Sequence, residues 1–328
     1  MRALTLFSGG LDSSLIIKIL VSQNIEVIAL HFTTPLSNLD KDKEEILHKK
    51  VAELGGRLKV IYLGKDFAEI LKNPRFGYGK NLNPCIDCKI LMLKHAKQLM
   101  AELGASFVAT GEVIAQRPKS QYKETLRLIE KESGLCDLLL RPLSAKLLEP
   151  TLPEREKWIN RDELFDFNGR SRNQQFKLAE HFGIKNFAWP AGGCLLTTPS
   201  FCGRVEDLLK RSQCTPENLE LLKTGRHFRL SENFKLIVGR NEKEDNEILK
   251  LALDEDIIFE PLELAGPTAL GKGIASADIN HLASRIIAKY TAKNNEAVEV
   301  TVRIYPRDEK EIISAFPIED DKLKQLRV

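Results

Sequence analysis

The sequence predicts an α/β protein: an open parallel sheet with helices on both faces, joined to a smaller C-terminal α+β domain. Three observations carry this. Residues 1–110 alternate short apolar runs with amphipathic stretches, the pattern of parallel strands joined by crossover helices. The first apolar run stops at Ser8-Gly9-Gly10 and passes straight into a helix, the strand–turn–helix unit of a ligand-binding sheet. From Phe201 onward the alternation gives way to a different mixture of helices and strands. The domains are therefore expected at 1–200 and 201–328.

Leu4–Phe7 reads as a buried strand, and a helix begins near Ser13 with Leu15, Ile16, Ile19 and Leu20 at helical spacing. Glu26–Phe32 is the second strand. Lys41–Leu54 is a charged amphipathic helix that ends at Gly55-Gly56. Leu58–Leu63 is the third strand, followed by a short helix over Asp66–Leu71 with Asp66 as its cap. Gly, Asn and Pro make 73–84 a loop. Cys85–Leu103 is helical up to Gly104, and Phe107–Thr110 is the fourth strand. Ligands of such sheets lie at the carboxyl ends of strands, marked here by Phe7, Phe32, Tyr62 and Thr110. Prolines 118, 142, 150, 153 and 190 break up 111–200, where Asn173–Phe182 is the one clear helix. Beyond it, helices are expected over Val205–Ser212, Pro216–Leu222, Asp245–Leu253 and Ile279–Tyr290, and strands over Phe234–Val238 and Val298–Ile304, around a glycine-rich stretch at 266–273.

At 328 residues and 43% hydrophobic content the chain can bury two domain cores. A net charge of +3 permits a polyanion partner without demanding one. No apolar stretch approaches the length of a membrane span, and Met1-Arg2 leads directly into a strand. The expectation is a cytoplasmic protein with no membrane partner. In that reducing compartment, 6 cysteines point to metal or catalytic use before disulfides.

The loop after the first strand binds phosphate by simple physics. Gly9 and Gly10 let the backbone approach an anion, and the first N–H groups of the helix lack partners. The hydroxyls of Ser8, Ser13 and Ser14 add donors, and the helix dipole favours negative charge there. No G-x-x-x-x-G-K-[ST] is present, so no lysine reaches a γ-phosphate. Asp12 places a carboxylate beside the phosphates instead, which makes sense where Mg²⁺ bridges them.

Pro84-Cys85-Ile86-Asp87-Cys88 puts a C-x-x-C at a helix start, where the dipole lowers thiol pKa values. The pair reads as a redox dithiol, half a zinc site or part of an iron–sulfur site. No second pair exists, so Cys194, after Gly192-Gly193, is the third thiol. Three cysteines without a fourth ligand would leave one iron of a cuboidal cluster open. Cys136, Cys202 and Cys214 have no metal-ligand spacing and read as structural thiols, with Cys136, in Leu135-Cys136-Asp137-Leu138, expected in the core.

The string Ser8–Ser14 resembles the SGGxDS loop of the PP-loop ATP pyrophosphatase superfamily, of the adenine nucleotide alpha hydrolase-like fold. That resemblance implies cleavage between the α- and β-phosphates of ATP. Asn83-Pro84-x-x-x-Cys88, Ala109-Thr110-Gly111 and Gly193-Cys194 follow in the order found in tRNA 2-thiouridylases. Cys88 falls on the active-cysteine position. Cys85 stands where that family has aspartate, and Glu112 where it has histidine. The three cysteines resemble instead the cluster-dependent tRNA thiolases of the same superfamily, which implies a [4Fe–4S] cluster on Cys85, Cys88 and Cys194. By this resemblance Asp12, Cys88 and Cys194 are the catalytic residues. ATP would lie on Ser8, Gly9, Gly10, Asp12, Ser13 and Ser14.

His31 ends the second strand, where it either contacts the adenine or packs against the sheet. Thr110 and Gly111 lie at the end of the fourth strand and are assigned to ATP. Glu112 either binds Mg²⁺ or is solvated. Two basic groups, Arg117, Lys119, Lys123 and Arg127, then Arg170, Arg172 and Lys177, either meet phosphates or are surface. Near the C-terminus, Ile237-Val238-Gly239-Arg240-Asn241, Asp245-Asn246, Gly266-Pro267 and Ala283-x-x-Ile286-x-Ala288-x-Tyr290, with Lys289 and Lys293, resemble the RNA-binding domain of the NFACT family over about 230–305. Lys223, Arg226, Arg229, Lys235 and Arg240 give this segment a basic character that suits a phosphate backbone.

The expected function is that of an ATP-dependent tRNA thiouridylase, with ATP, Mg²⁺ and the cluster as cofactors and tRNA as partner. Sulfide or a persulfide carrier would donate sulfur, and a homodimer is left open. One rival is a PP-loop enzyme that adenylates a small molecule. The other is a non-catalytic RNA-binding protein with a relict ATP site.

Overall fold

The computed structural model describes residues 1–185, 194–292 and 294–328. Two compact units divide at Thr197 and Thr198.

The first unit holds β1 (Arg2–Leu6), α1 (Leu11–Ser22), β2 (Glu26–Thr33), α2 (Lys41–Glu53), β3 (Arg57–Tyr62), α3 (Gly64–Lys72), α4 (Cys85–Leu103), β4 (Phe107–Ala109), α5 (Lys123–Ser133), β5 (Leu139–Leu140), α6 (Leu152–Arg155) and α7 (Asn173–His181). The five strands are parallel, in the order β3-β2-β1-β4-β5. Alternation along the strands splits the core between the two faces. Ala3, Val27 and Ala29 pack with Leu15, Ile16 and Leu20 of α1 and with Ala179 of α7. Leu4, Leu6, Ile28 and Leu30 pack on the other face with Ile90, Leu93 and Ala96 of α4 and Ile129 of α5. Burying each such side chain contributes roughly 1.5–3 kcal/mol, so both faces are firmly covered. The strand order reverses at β1, whose neighbours are β2 and β4. A crevice opens at such a switch point, outside the carboxyl ends of β1 and β4.

Two expectations need correction here. Asp66 does not cap α3: the helix starts two residues earlier, and the Asp66 carboxylate pairs with His95 Nε2 at 2.9 Å. The stretch read as irregular contains α5, whose Leu126 and Ile129 are buried, and the short edge strand β5. The prolines lie outside α5, so they bound the helix without breaking it.

The second unit holds α8 (Pro199–Lys210), α9 (Pro216–Leu221), β6 (Arg226–Ser231), β7 (Phe234–Val238), α10 (Glu242–Lys250), β8 (Ile257–Pro261), β9 (Ala269–Gly273), α11 (Ala277–Thr291), β10 (Val298–Ile304), β11 (Lys310–Ala315) and α12 (Asp320–Leu326). Its six-stranded antiparallel sheet runs β11-β10-β8-β9-β7-β6. Ala283, Ile286 and Ile287 of α11 cover one face against Phe228, Phe259 and Val300. Ile248 of α10 packs with Ile237, Ile258 and Leu270. β6, β8, β9 and β11 were not foreseen, because such short runs carry little periodic signal alone. Among the described residues, no helix is long and apolar enough to cross a membrane.

Candidate functional site

The loop between β1 and α1 has a geometry that suits an anion. Gly9 has φ +79°, in the left-handed region open chiefly to glycine. Gly10 is the N-cap of α1 and supplies no side-chain cap, so the first-turn N–H groups keep their donor capacity. The serines divide differently from the expectation. Ser13 Oγ and Ser14 Oγ each donate to the Gly10 carbonyl at 2.9 Å, and both residues are buried. Ser8 is exposed, and its Oγ donates to Ser13 Oγ at 3.3 Å.

Asp12 stands in the first turn of α1, about a fifth exposed, with Arg172 Nη2 at 3.1 Å from Oδ1. Gln116 Nε2 donates to Oδ2 at 3.1 Å. Lys50, on α2, donates to the Gly9 carbonyl at 2.6 Å, and burial lowers its ammonium pKa. Two cations thus flank the loop. Lys50 escaped the sequence reading because no motif marks it; only the packing of α2 brings it there. Arg172 was one of a basic group with no assigned target, and the fold aims it at Asp12.

Some assigned residues are otherwise engaged. His31 Nδ1 donates to the Phe7 carbonyl at 2.9 Å, which ties the end of β2 to the start of the loop. Thr110 is buried and donates to Glu112 Oε2 at 3.0 Å. Glu112 is not solvated. It is 3% exposed, 3.3 Å from Arg141 Nε and 3.7 Å from Lys89 Nζ. Burial pushes its pKa up, but Lys89 and Arg141 outweigh this and hold it below the usual value. Glu112 therefore anchors the end of β4.

Gly111 serves contact between elements. A Cβ there would lie 2.8 Å from the Asp12 carbonyl carbon and 3.0 Å from Ser13 N. Gly111→Ala is expected to cost about 1–3 kcal/mol by overpacking and to push the first turn of α1 away from β4. Chemical denaturation reads the first effect; unchanged stability would show that the two elements can part freely.

The cysteines lie at the edge of the same region. Cys85 opens α4 and Cys88 is one turn on. Asp87 accepts from Arg75 N at 2.9 Å and Phe76 N at 3.2 Å, which orders the preceding loop. That loop captures the segment after Cys194: Leu82 N donates to the Leu196 carbonyl at 3.2 Å, and Asn81 Nδ2 to the Thr197 carbonyl at 2.8 Å. Gly192 and Gly193 lie outside the described residues. Burial pushes the Cys88 thiol up to about 12; Lys89 opposes this, and the charges of Cys194, Cys85 and Asp87 add to it. Burial also raises Cys85, against Arg117, Lys89 and Lys119. Among the described residues no cysteine is in a disulfide. Cys202 and Cys214 are buried, whereas Cys136, expected in the core, is exposed.

Among the described residues, no three His, Cys, Asp or Glu side chains stand ready to hold a single metal ion. A single ion needs its sulfurs within about 2.3 Å of one point, whereas a cuboidal cluster spreads its ligands over several irons. Cys88 lies in the field of Cys85 and Cys194. Burial outweighs the nearby cations and raises both helix thiols, the reverse of the lowering expected at a helix start. Three thiols without a single-ion geometry suit the larger group. For Mg²⁺ the fit is one carboxylate, Asp12, since that ion keeps waters and substrate phosphates as its other ligands.

The loop at 114–121 joins the two halves of the site. Its Gln116 reaches Asp12, while its Arg117 and Lys119 act on Cys85. The N-terminal unit is a five-stranded parallel α/β domain with the glycine loop after β1 at its switch point, the place where such sheets take ligands. Residues 1–146 match the family described as thiamine biosynthesis protein (ThiI), and residues 225–327 match the NFACT protein RNA binding domain. A probable tRNA sulfurtransferase of Thermococcus kodakarensis is 28% identical over 142 residues, covering 43% of this chain and 36% of that protein. The chain spans between a third and a half of the length of the curated relatives it matches. A 4-thiouridine synthetase–RNA complex with bound ATP is similar at 24% identity and a TM-score of 0.37, covering 44% of this chain and 37% of that one. The U34-tRNA thiolase NcsA of Methanococcus maripaludis, with its [4Fe-4S] cluster, is similar at 17% identity and a TM-score of 0.34, covering 68% and 70%. The N-terminal unit thus resembles PP-loop tRNA sulfurtransferases, and the C-terminal unit an RNA-binding domain.

The basic set in the C-terminal unit is not the open surface expected of it. Arg229 and Lys235 converge on Asp207, at 2.6 and 3.1 Å. Arg240 pairs with Glu244, and Arg226 donates to the Gly239 carbonyl while its guanidinium sits 4.6 Å from the Tyr290 ring centre. These cations hold the unit together before they hold any RNA.

Proposed function

We propose that the chain is an ATP-dependent tRNA sulfurtransferase that adenylates a uridine carbonyl and exchanges its oxygen for sulfur. The observation that carries this is the joining of Asp12, in the uncapped first turn of α1, to the cysteine edge through the 114–121 loop. Loop amides and Ser8 would hold the β- and γ-phosphates, with Lys50 and Arg172 supplying positive charge. The carbonyl oxygen of the base attacks the α-phosphorus, the bond to the β-phosphate breaks, and pyrophosphate leaves. Hydrosulfide then attacks the ring carbon, the carbon–oxygen bond breaks, and AMP departs with the former carbonyl oxygen while the sulfur loses its proton. Mg²⁺ on Asp12 would neutralise the charge that develops on pyrophosphate. A [4Fe–4S] cluster, held by Cys85, Cys88 and Cys194, would supply a binding position for the incoming sulfur.

Anaerobically purified protein is expected to contain iron and to show broad visible absorbance. Cys85→Ala, Cys88→Ala and Cys194→Ala should each lose it, and Cys214→Ala, a buried thiol of the second unit, should keep it. Stoichiometric zinc without iron would rule out the cluster.

The partner is tested by salt. Each neutralised phosphate releases a counterion, so tRNA affinity should fall steeply as salt rises. Salt-insensitive affinity, or thiolation of a small molecule in preference to tRNA, would favour the rival PP-loop enzyme.

A further inference from the structure

Arg226, Arg229, Lys235 and Arg240 of the C-terminal unit are engaged in its fold, but a set of cations in the N-terminal unit is not. Arg117, Lys119, Lys123, Arg127 and Lys131 are exposed. Their side chains form no hydrogen bond or ion pair among the described residues. Lys123, Arg127 and Lys131 stand at i, i+4 and i+8 on α5, so they share one side of the helix over about 12 Å. The acids of α5 turn elsewhere: Glu130 meets Arg141 at 3.0 Å, and Glu132 meets Arg75. Among the described residues, Glu124 is then the one acid of this helix outside an ion pair. The row is therefore positive along its length.

The row starts at the nucleotide site. The loop at 114–121 closes on itself: Ala115 N donates to the Gln121 carbonyl at 2.8 Å, and Arg117 N to Gln121 Oε1 at 2.9 Å. Gln116 and Tyr122 each lie one residue from the Ala115–Gln121 pairing, and Gln116 Nε2 reaches Asp12 at 3.1 Å. Arg117 and Lys119 stand close enough to act on Cys85. Tyr122, between Lys119 and Lys123, is 48% exposed, so an aromatic ring lies open among the cations. That combination suits a nucleic-acid strand with unstacked bases: phosphates meet the charges, and a base lies on the ring. RNA is commonly recognised through such splayed bases. We infer that this surface holds an RNA strand leading to the nucleotide site, with phosphates on Arg117, Lys119, Lys123, Arg127 and Lys131 and one unpaired base stacked on Tyr122. The inference rests on the tRNA reading of this site and names where the strand would lie.

The test uses the full chain with unfractionated tRNA, read by fluorescence anisotropy across a range of salt. Arg117→Gln, Lys119→Gln and Arg127→Gln combined should lower the slope of log affinity against log salt by about 2–3, since each lost contact releases one counterion fewer. Should that variant fail to fold by thermal melt, Arg127→Gln alone carries the test, with a fall of about 1. Arg57→Gln, at the amino end of β3 and so at the far end of the sheet, should leave the slope unchanged. Tyr122→Ala should weaken binding about tenfold at an unchanged slope, and Tyr122→Phe, which keeps the ring, should bind as the wild type does. A wild-type slope kept by the combined variant, Tyr122→Phe as weak as Tyr122→Ala, or competition by polyglutamate equal to that by tRNA would overturn the inference. In those cases tRNA still binds, and the sulfurtransferase reading stands without this surface. A wild type that binds no tRNA would remove both.

Discussion

Asp12→Asn should lower AMP formation by about two to three orders of magnitude while leaving the fold intact. The size follows from removing a charge aimed at the departing pyrophosphate, comparable to losing one preorganised transition-state contact. The amide keeps the shape and can still meet Gln116 or Arg172. The lost ion pair is partly solvated, so its contribution to stability is at most about 1 kcal/mol. Chromatographic assay of AMP beside a thermal melt separates the two effects. A variant that keeps wild-type turnover would remove Asp12 from the reaction, and release of ADP by the wild type would contradict cleavage between the α- and β-phosphates.

Asp207→Ala should unfold the C-terminal unit readily, at a cost of about 3–5 kcal/mol, because it strands buried cations without their counter-charge. Asp207 is 7% exposed and meets Arg229, Lys235 and Arg211 at 2.6, 3.1 and 3.0 Å. Burial pushes its pKa up, but the Arg229 hydrogen bond and the Lys235 charge outweigh this and hold it below the usual value. Its contribution is therefore present above the ordinary carboxylate pKa and is lost as pH falls through the depressed folded one. Lys235 acts in the opposite window. Burial holds its pKa at about 8 in the fold against 10.5 for a free lysine. Between those values the unfolded chain binds a proton that the folded chain has released, so this group makes stability rise with pH. Denaturant titrations across that range should show a smaller slope in Lys235→Met, and an unchanged slope would place the titration elsewhere. Charge reversal at Arg229 is accordingly a test of folding before it is a test of RNA affinity.

The same physics explains what could be read along the chain. Strand alternation, helical periodicity and glycine punctuation are local, so β1, the phosphate loop, α4 with Cys85 and Cys88, β7 and β10 were legible within a residue or two. The acid in the first turn of α1 was legible because its neighbours in sequence are also its neighbours in space. Short strands such as β6, β8 and β11 gain their stability from partners far along the chain, and a single strand carries too little pattern to announce them.

The sequence by itself determined the two-part architecture, the glycine turn after the first strand and the thiol-bearing helix, since each follows from residues a few positions apart. Only the tertiary structure decided which partner each charge meets. Arg172 meets Asp12 across 160 residues and Lys50 meets Gly9 across 41, while Glu112 turns inward to Arg141 and Arg229 to Asp207. A charged residue looks the same in sequence on an open surface or at the centre of a network. Its partner, and the burial that makes the partner necessary, exist only once the elements have packed.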